Sequence, residues 1–217
     1  MAAATKVLIV DDHPAVREGL AVRISSQPDL EVCSQAADTA EAMQLVVATC
    51  PNVVVVDIQL KTGSGLDLIG RIQAHDKSIR ILVWSMYPDA LYAQRALHAG
   101  ALGYINKEHT TGNIVEAVRR VRDGNIYLCE ETAQQLLGRA IGGIKPSKAT
   151  GIESLSDREL EVFRLIGQGI PTSQIAQRFH RSRHTVEAHR QAIKRKLNLR
   201  TAGELNRTAA QWILDNG

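Results

Sequence analysis

The chain has 217 residues, 44% of them apolar and 23% charged, with a net charge of +3. That is enough apolar material for one large core or two small ones. No run of about 18 apolar residues is present to cross a membrane, and the N-terminus lacks the charged-then-apolar pattern of a signal peptide, so a cytoplasmic protein is expected. Cys33, Cys50 and Cys129 are odd in number and widely spaced, which argues against a disulfide framework or a zinc site and leaves buried free thiols as the expectation.

The charge is unevenly spread. Residues 1–140 carry 13 Lys/Arg against 16 Asp/Glu, whereas residues 153–217 carry 11 against 7. Arg178, Arg181, Arg183, Arg190, Lys194, Arg195, Lys196 and Arg200 face only Glu187 within the stretch 178–200. An acidic half and a basic half imply different partners, and the concentrated basic stretch implies a polyanion.

In chain order, the apolar run Val7–Val10 ends in Asp11 and Asp12, and helical spacing follows at Val16, Leu20 and Ile24. Glu31–Gln35 reads as a strand, and Asp38 as the cap of a helix reaching Ala48. Val53–Val56 is wholly apolar, fits a central buried strand, and ends in Asp57. Gly63-Ser64-Gly65 marks a loop before the helical stripe Leu66, Ile69, Ile72. Ile81–Trp84 runs into Ser85; Asp89–Ala99 is helical with Gly100 as its stop. Tyr104-Ile105 precedes Asn106 and Lys107, and Thr111 caps a last helix through Ile114, Val118 and Val121. Five strands alternating with five helices predict an α/β fold with a five-stranded parallel sheet covered on both faces; the doubly wound, flavodoxin-like order is adopted by analogy with phosphoacceptor domains of this size.

Glu130–Arg139 reads as a short connecting helix, and 141–151, with three Gly and one Pro, as a linker. Beyond Ser154 no strand pattern remains. Capping boxes at Ser156/Glu159 and Thr201/Glu204 bracket two further segments, Thr172–Phe179 and Ser182–Leu197. The tail is therefore an all-α four-helix domain. The expected divisions are 1–125, a linker with a short helix at 126–152, and 153–217.

Ligands of an open parallel sheet bind beyond the carboxyl ends of its strands. Asp11, Asp12 and Asp57 would meet there, and a hard divalent cation relieves their repulsion. Mg2+ is the expected ion because it takes oxygen ligands, often one or two carboxylates plus phosphate. Asp57, ending the most buried strand, is the expected nucleophile toward a phosphoryl group. Lys107 would balance charge on the phosphoryl oxygens, and the Ser85 hydroxyl would donate to one of them.

VLIVDDHP, VVVVDIQL, GSGLDLI, VWSMY and GALGYINK together resemble the receiver domain of two-component response regulators over residues 5–122. The resemblance implies that a sensor histidine kinase phosphorylates Asp57. It implies that Asp12, Asp57 and the Gln59 backbone carbonyl bind Mg2+ with Asp11 in support, and that Ser85 and Tyr104 form a switch pair whose aromatic ring turns inward. Lys61 stands where many receivers have proline, Ser85 where Thr is commoner, and Glu108 where proline often follows the lysine. Lys61→Pro is expected to alter phosphoryl lifetime.

The basic tail fits a helix-turn-helix whose second helix, Ser182–Leu197, enters the major groove of double-stranded DNA. Ser182 is its N-cap. Val186, Ile193 and Leu197 should face inward. Glu187, Ala188, Gln191 and Arg195 share an outward face that reaches base edges, and Arg183, Arg190, Lys194 and Lys196 suit phosphates. SLSDRELEVFRLIGQG, IAQRF and SRHTVEAHRQAIKRKL resemble the LuxR/NarL-type DNA-binding domain, with Thr185 in its S-x-x-T-V-x-x-H pattern. The resemblance makes Glu159 a structural acid and His189 a packing or phosphate-contacting residue. It makes Trp212 and Leu205 of the last helix candidates for a homodimer contact, with packing inside the domain as the alternative.

The whole chain thus resembles a response regulator of the NarL/FixJ type, a phosphorylation-controlled transcriptional regulator with no enzymatic activity beyond self-phosphorylation and autodephosphorylation at Asp57. Two other readings use the same residues. One is a Mg2+-dependent phosphohydrolase; the other is a DNA-binding protein whose first domain only dimerises.

Overall fold

Every apolar run of the first half is a strand, and every amphipathic stretch between them is a helix. The computed structural model describes residues 3–60, 62–108, 114–141 and 151–216. Lys61, the expected cap Thr111 and linker residues 142–150 lie outside these. The chain divides into two compact units, Met1–Leu136 and Leu137–Gly217.

In the first unit, β1 (Thr5–Val10), β2 (Leu30–Ala36), β3 (Val53–Val56), β4 (Arg80–Ser85) and β5 (Gly103–Asn106) form one sheet of order β2-β1-β3-β4-β5, all parallel. The helices between and after them are α1 (Pro14–Ser25), α2 (Thr39–Thr49), α3 (Gly65–His75), α4 (Asp89–Ala99) and α5 (Ile114–Arg122). The four valines of β3 are all at most 1% exposed, because helices cover both faces of the sheet. One face, Val7, Ile9, Val53, Val55, Leu82 and Ile105, packs on Leu20 and Ile24 of α1 and on Ile114, Val118 and Val121 of α5. The chain leaves β1 toward β2, then returns to the other side of β1 at β3. This reversal of direction opens a crevice at the carboxyl ends of β1 and β3, which is where such sheets bind ligands.

Helix ends follow local chemistry. Asp38 accepts from the N–H groups of Ala40 and Glu41 at 2.8 and 2.9 Å and so caps α2. Gly100, at φ 110°, ends α4 in the left-handed conformation that glycine adopts without strain. The cysteines correct the expectation of buried thiols: Cys33 is half-buried, and Cys50 and Cys129 are exposed. Cys50 ends α2 in a left-handed conformation, φ 46°. Cys129 precedes α6 (Glu130–Ile141), its carbonyl accepting from the Ala133 N–H. Both occupy helix ends, not core-facing positions.

The second unit holds α7 (Asp157–Gly167), α8 (Thr172–Arg178), α9 (Arg183–Lys196) and α10 (Ala202–Asn216) after a 3-10 turn at Gly151–Ser154. The Ser156/Glu159 capping box is complete: Glu159 Oε2 accepts from the Ser156 N–H at 2.7 Å, and Ser156 Oγ accepts from the Glu159 N–H at 3.3 Å. Leu160, Phe163, Ile175, Val186, Ile193, Leu205 and Ala209 close its core. Among the described residues, no helix is long and apolar enough to cross a membrane.

Gly65 opens α3 directly against the loop that carries Asp57. A Cβ there would lie 2.2 Å from the Asp57 carbonyl oxygen and 2.6 Å from Ile58 Cα, so backbone would have to move. Gly70, one and a half turns later and exposed, has nothing within 4 Å. Gly65→Ala should therefore lower stability by about 1–3 kcal/mol, and Gly70→Ala should raise it by about 0.5–1 kcal/mol. Thermal unfolding of the two variants checks this; equal midpoints would show that the approach at Gly65 is not tight.

Candidate functional site

Three carboxylates converge at the switch point because the parallel ladder continues one residue past each strand. The Asp11 N–H donates to the Ala36 carbonyl at 3.1 Å, the Asp57 N–H to Val10 at 2.8 Å, and the Lys107 N–H to Ser85 at 2.8 Å. Each polar residue is thereby aimed out of the strand end in register with its neighbours. Asp11, Asp12 and Asp57 are 1%, 8% and 3% exposed. Their ligand oxygens and an imidazole nitrogen of His13 all lie within 4.8 Å of one another.

Lys107 Nζ donates to Asp11 Oδ2 and to Asp57 Oδ2, each at 2.7 Å. Burial pushes the Asp57 carboxyl above its ordinary range; Lys107 opposes this but does not reverse it, and Asp11 adds to the rise. Burial also works against the charged form of Lys107, yet the Asp57 and Asp11 carboxylates outweigh it and hold the ammonium charged. One cation among three buried carboxylates leaves a net negative pocket. Asp12 Oδ1 is buried and accepts no hydrogen bond among the described residues. Its ion-pair neighbour is His13 Nδ1, 2.8 Å away; three buried carboxylates around one ammonium make an oxygen-rich, net negative crevice that fits a hard divalent cation.

The region between β4 and α4 is a second cluster. Ser85 is fully buried, and its Oγ accepts from the Tyr87 N–H at 3.4 Å. Tyr104, 1% exposed, already points inward. Its hydroxyl donates to the Tyr87 carbonyl at 2.8 Å, which also receives Asn106 Nδ2 at 3.2 Å. Burial raises the Tyr104 phenol well above its ordinary value, so it stays a donor. The Tyr87 hydroxyl donates to Gln59 Oε1 at 2.7 Å, and its ring stacks on Tyr92 of α4 with centroids 4.7 Å apart. The Gln59 N–H in turn donates to Asp57 Oδ1 at 3.1 Å. Tyr87 and His13 are the two residues that sequence reasoning missed. His13 carried a signal, standing between Asp12 and Pro14; Tyr87 carried none, since its partner Gln59 is 28 residues away.

In the second unit, Ser182 caps α9, accepting from the Thr185 N–H at 3.1 Å, with the two hydroxyls 2.9 Å apart. Arg183, Glu187, Ala188, Gln191 and Arg195 form an exposed surface, with Arg190 and Lys194 half-buried beside it. Arg190 leans on Asn206 at 3.3 Å. Lys196 is exposed but tied: its Nζ donates to Glu159 Oε2 at 2.5 Å. Burial alone would raise the Glu159 carboxyl, but Lys196 and the Ser156 N–H hold it below the usual range. A groove of about 480 Å³ between α8 and α9 is lined by Ser173, Gln177, His180, Arg181 and Arg183. Leu205 corrects the expectation of a dimer contact: it is 0% exposed and packs inside its own domain. Trp212 is half-buried, its ring 6.0 Å from that of Phe163.

Residues 7–119 match the family of response regulator receiver domains, and residues 153–209 match the luxR family of bacterial regulatory proteins. The chain is 36% identical over 204 residues to the oxygen regulatory protein NreC of Staphylococcus carnosus, covering 92% of this chain and 94% of that one. It is 32% identical over 201 residues to the transcription regulator BvgA of Bordetella pertussis, at the same coverage. Its fold matches RcsB of Salmonella enterica serovar Typhimurium, a structure bound to promoter P1flhDC with the phosphomimetic BeF3−. The TM-score is 0.71, at 23% identity over 95% of this chain and 98% of that one. The chain belongs to the response regulator family, as a receiver domain joined to a luxR-type DNA-binding domain, and is a transcriptional regulator of that class.

The crowded carboxylates set a pH-dependent stability. A carboxyl whose folded pKa is raised favours the folded state while protonated, and that contribution is lost as pH rises through the folded pKa. Asp57→Asn should therefore raise the metal-free melting temperature at about pH 7 and have little effect near about pH 3, below the unfolded value of about 3.9, where Asp57 is largely protonated in both states. Mg2+ should raise the wild-type midpoint more than that of the variant. A lower midpoint for Asp57→Asn at neutral pH would contradict the repulsion.

Proposed function

We propose that Asp57 is the phosphoacceptor, that a sensor histidine kinase supplies the phosphoryl group, and that the modified receiver controls DNA binding by α9. The observation that carries this is the Lys107 ammonium held 2.7 Å from both Asp11 and Asp57, beside the buried Asp12 carboxylate. An Asp57 carboxylate oxygen attacks phosphorus, the P–O bond forms as the P–N bond of the phosphohistidine breaks, and the departing imidazole nitrogen takes a proton from solvent. Asp12, Asp57 and the Gln59 backbone carbonyl would hold Mg2+, with Asp11 in support. When bound, the ion neutralises charge on the transferring oxygens and favours in-line displacement. Lys107 passes from the Asp57 carboxylate to a phosphoryl oxygen, and the Ser85 hydroxyl donates to another.

The phosphoryl group adds about −1.5 to −2 charge at neutral pH. Ser85 and Tyr104 report it through the Tyr87 loop to α4, whose first turn follows that loop directly. The population of binding-competent chains shifts accordingly. Water later hydrolyses the acyl phosphate and resets the receiver. The outward face of α9, Glu187, Ala188, Gln191 and Arg195, reads base edges, with Ser182, Arg183, Thr185, Arg190 and Lys194 toward the backbone. Two copies bind half-sites about one helical turn apart, with Trp212 of α10 at the contact. The DNA target places this action in the cytoplasm.

With acetyl phosphate and Mg2+, the wild type should gain the mass of one phosphoryl group and Asp57→Asn none; labelling of the variant would move the acceptor elsewhere. On DNA, Arg195→Ala should lose about 1–3 kcal/mol of affinity without loss of fold. Lys196→Ala should instead lower the melting temperature, by about 1–2 kcal/mol in stability after allowance for the exposure of its ammonium, because it strips a partner from buried Glu159. The reverse assignment would place Lys196 on the phosphates.

A further inference from the structure

Asn106 ends β5 almost wholly buried, directly across the ladder from Ser85. A buried amide is costly unless its donor and acceptor are both met. Here each end meets a different part of the site. Oδ1 accepts from the Glu108 N–H at 2.8 Å, two residues on, and closes a turn around Lys107. Nδ2 donates to the Tyr87 carbonyl at 3.2 Å, the oxygen that also takes the Tyr104 hydroxyl at 2.8 Å. The amide has one workable orientation: turned round, its NH2 would face the Glu108 N–H and its oxygen the Tyr87 carbonyl.

The first of these bonds fixes where the Lys107 side chain begins. The Lys107 N–H is held by the Ser85 carbonyl at 2.8 Å, and the next N–H along the chain is held by Asn106. From that anchored root Nζ reaches Asp11 Oδ2 and Asp57 Oδ2, each at 2.7 Å. A lysine ammonium rides on a flexible four-carbon stem, so its aim depends on how firmly the root is placed. A proline at 108 would have no N–H to give, and an apolar side chain at 106 would have nothing to receive it. The second bond ties the same turn to the Tyr87 loop, whose N–H rests on Ser85 Oγ at 3.4 Å.

We infer that Asn106 is a positioning residue for phosphoryl transfer to Asp57. It acts through Lys107, whose ammonium it aims at the oxygens that carry charge during the transfer. The inference rests on the phosphoacceptor reading of Asp57 and adds to it the residue that sets the aim of Lys107. A misplacement of about 1 Å in such a group costs up to about a hundredfold in rate.

The test is a double-mutant cycle on the full-length chain, reading the rate of acyl-phosphate formation from acetyl phosphate in excess Mg2+. Asn106→Leu is close in size and lacks both hydrogen-bonding ends; it should slow the reaction about tenfold or more. In a Lys107→Met background the same substitution should change the remaining rate less than about twofold, because the group it aims is gone. Circular dichroism checks the fold of each variant, and Asn106→Ala takes the place of Asn106→Leu in the cycle if the latter does not fold. An equal loss in both backgrounds would make Asn106 a residue of the fold only. An unchanged rate in Asn106→Leu would also overturn the inference. In both cases labelling of Asp57 in the wild type leaves the phosphoacceptor reading standing. A wild type that takes no label, or a label that survives Asp57→Asn, contradicts that reading and the inference with it.

Discussion

Three carboxylates are buried at the ends of two adjacent strands with a single ammonium to answer them, and the receiver is built around that imbalance. The sheet puts them there: the ladder hydrogen bonds at Asp11, Asp57 and Lys107 hold each group beyond its strand end. Lys107 does not neutralise the pocket, so Asp57 stays raised by burial. A site that is costly when empty favours a cation and, with the cation, a phosphoryl group.

The route from Asp57 to the surface is short. Asp57 Oδ1 accepts from Gln59, whose side chain accepts from Tyr87, and the Tyr87 carbonyl accepts from Tyr104 and Asn106. Tyr87 also stacks on Tyr92, so the loop and the first turns of α4 are one packed unit. A pair described by Ser85 and Tyr104 alone omits the residue on which their hydrogen bonds converge. Tyr104 is inward in this structure, with Ser85 fully buried beside the same loop.

Legibility in the sequence followed contact distance along the chain. The strand-end carboxylates were readable because an apolar run and its terminal Asp are neighbours. The capping box at Ser156 and Glu159 was readable because its partners are three residues apart. The Tyr87–Gln59 and Lys196–Glu159 pairs, 28 and 37 residues apart, leave no local trace. Lys196 therefore read as one more phosphate-facing cation of α9. Leu205 and Trp212 share a helix face in the sequence, yet the fold buries Leu205 wholly and Trp212 only partly. Cys50 and Cys129 read as core thiols from composition, and helix-end geometry turned them outward.

The central claim is that charge on Asp57 sets the DNA affinity of α9. The direct measurement is the affinity of the full-length chain for a genomic fragment it selects itself, at fixed salt, with and without Mg2+ and acetyl phosphate. Tighter binding with the phosphodonor in the wild type, and none in Asp57→Asn, is the predicted result. Equal affinity in all four conditions would contradict it.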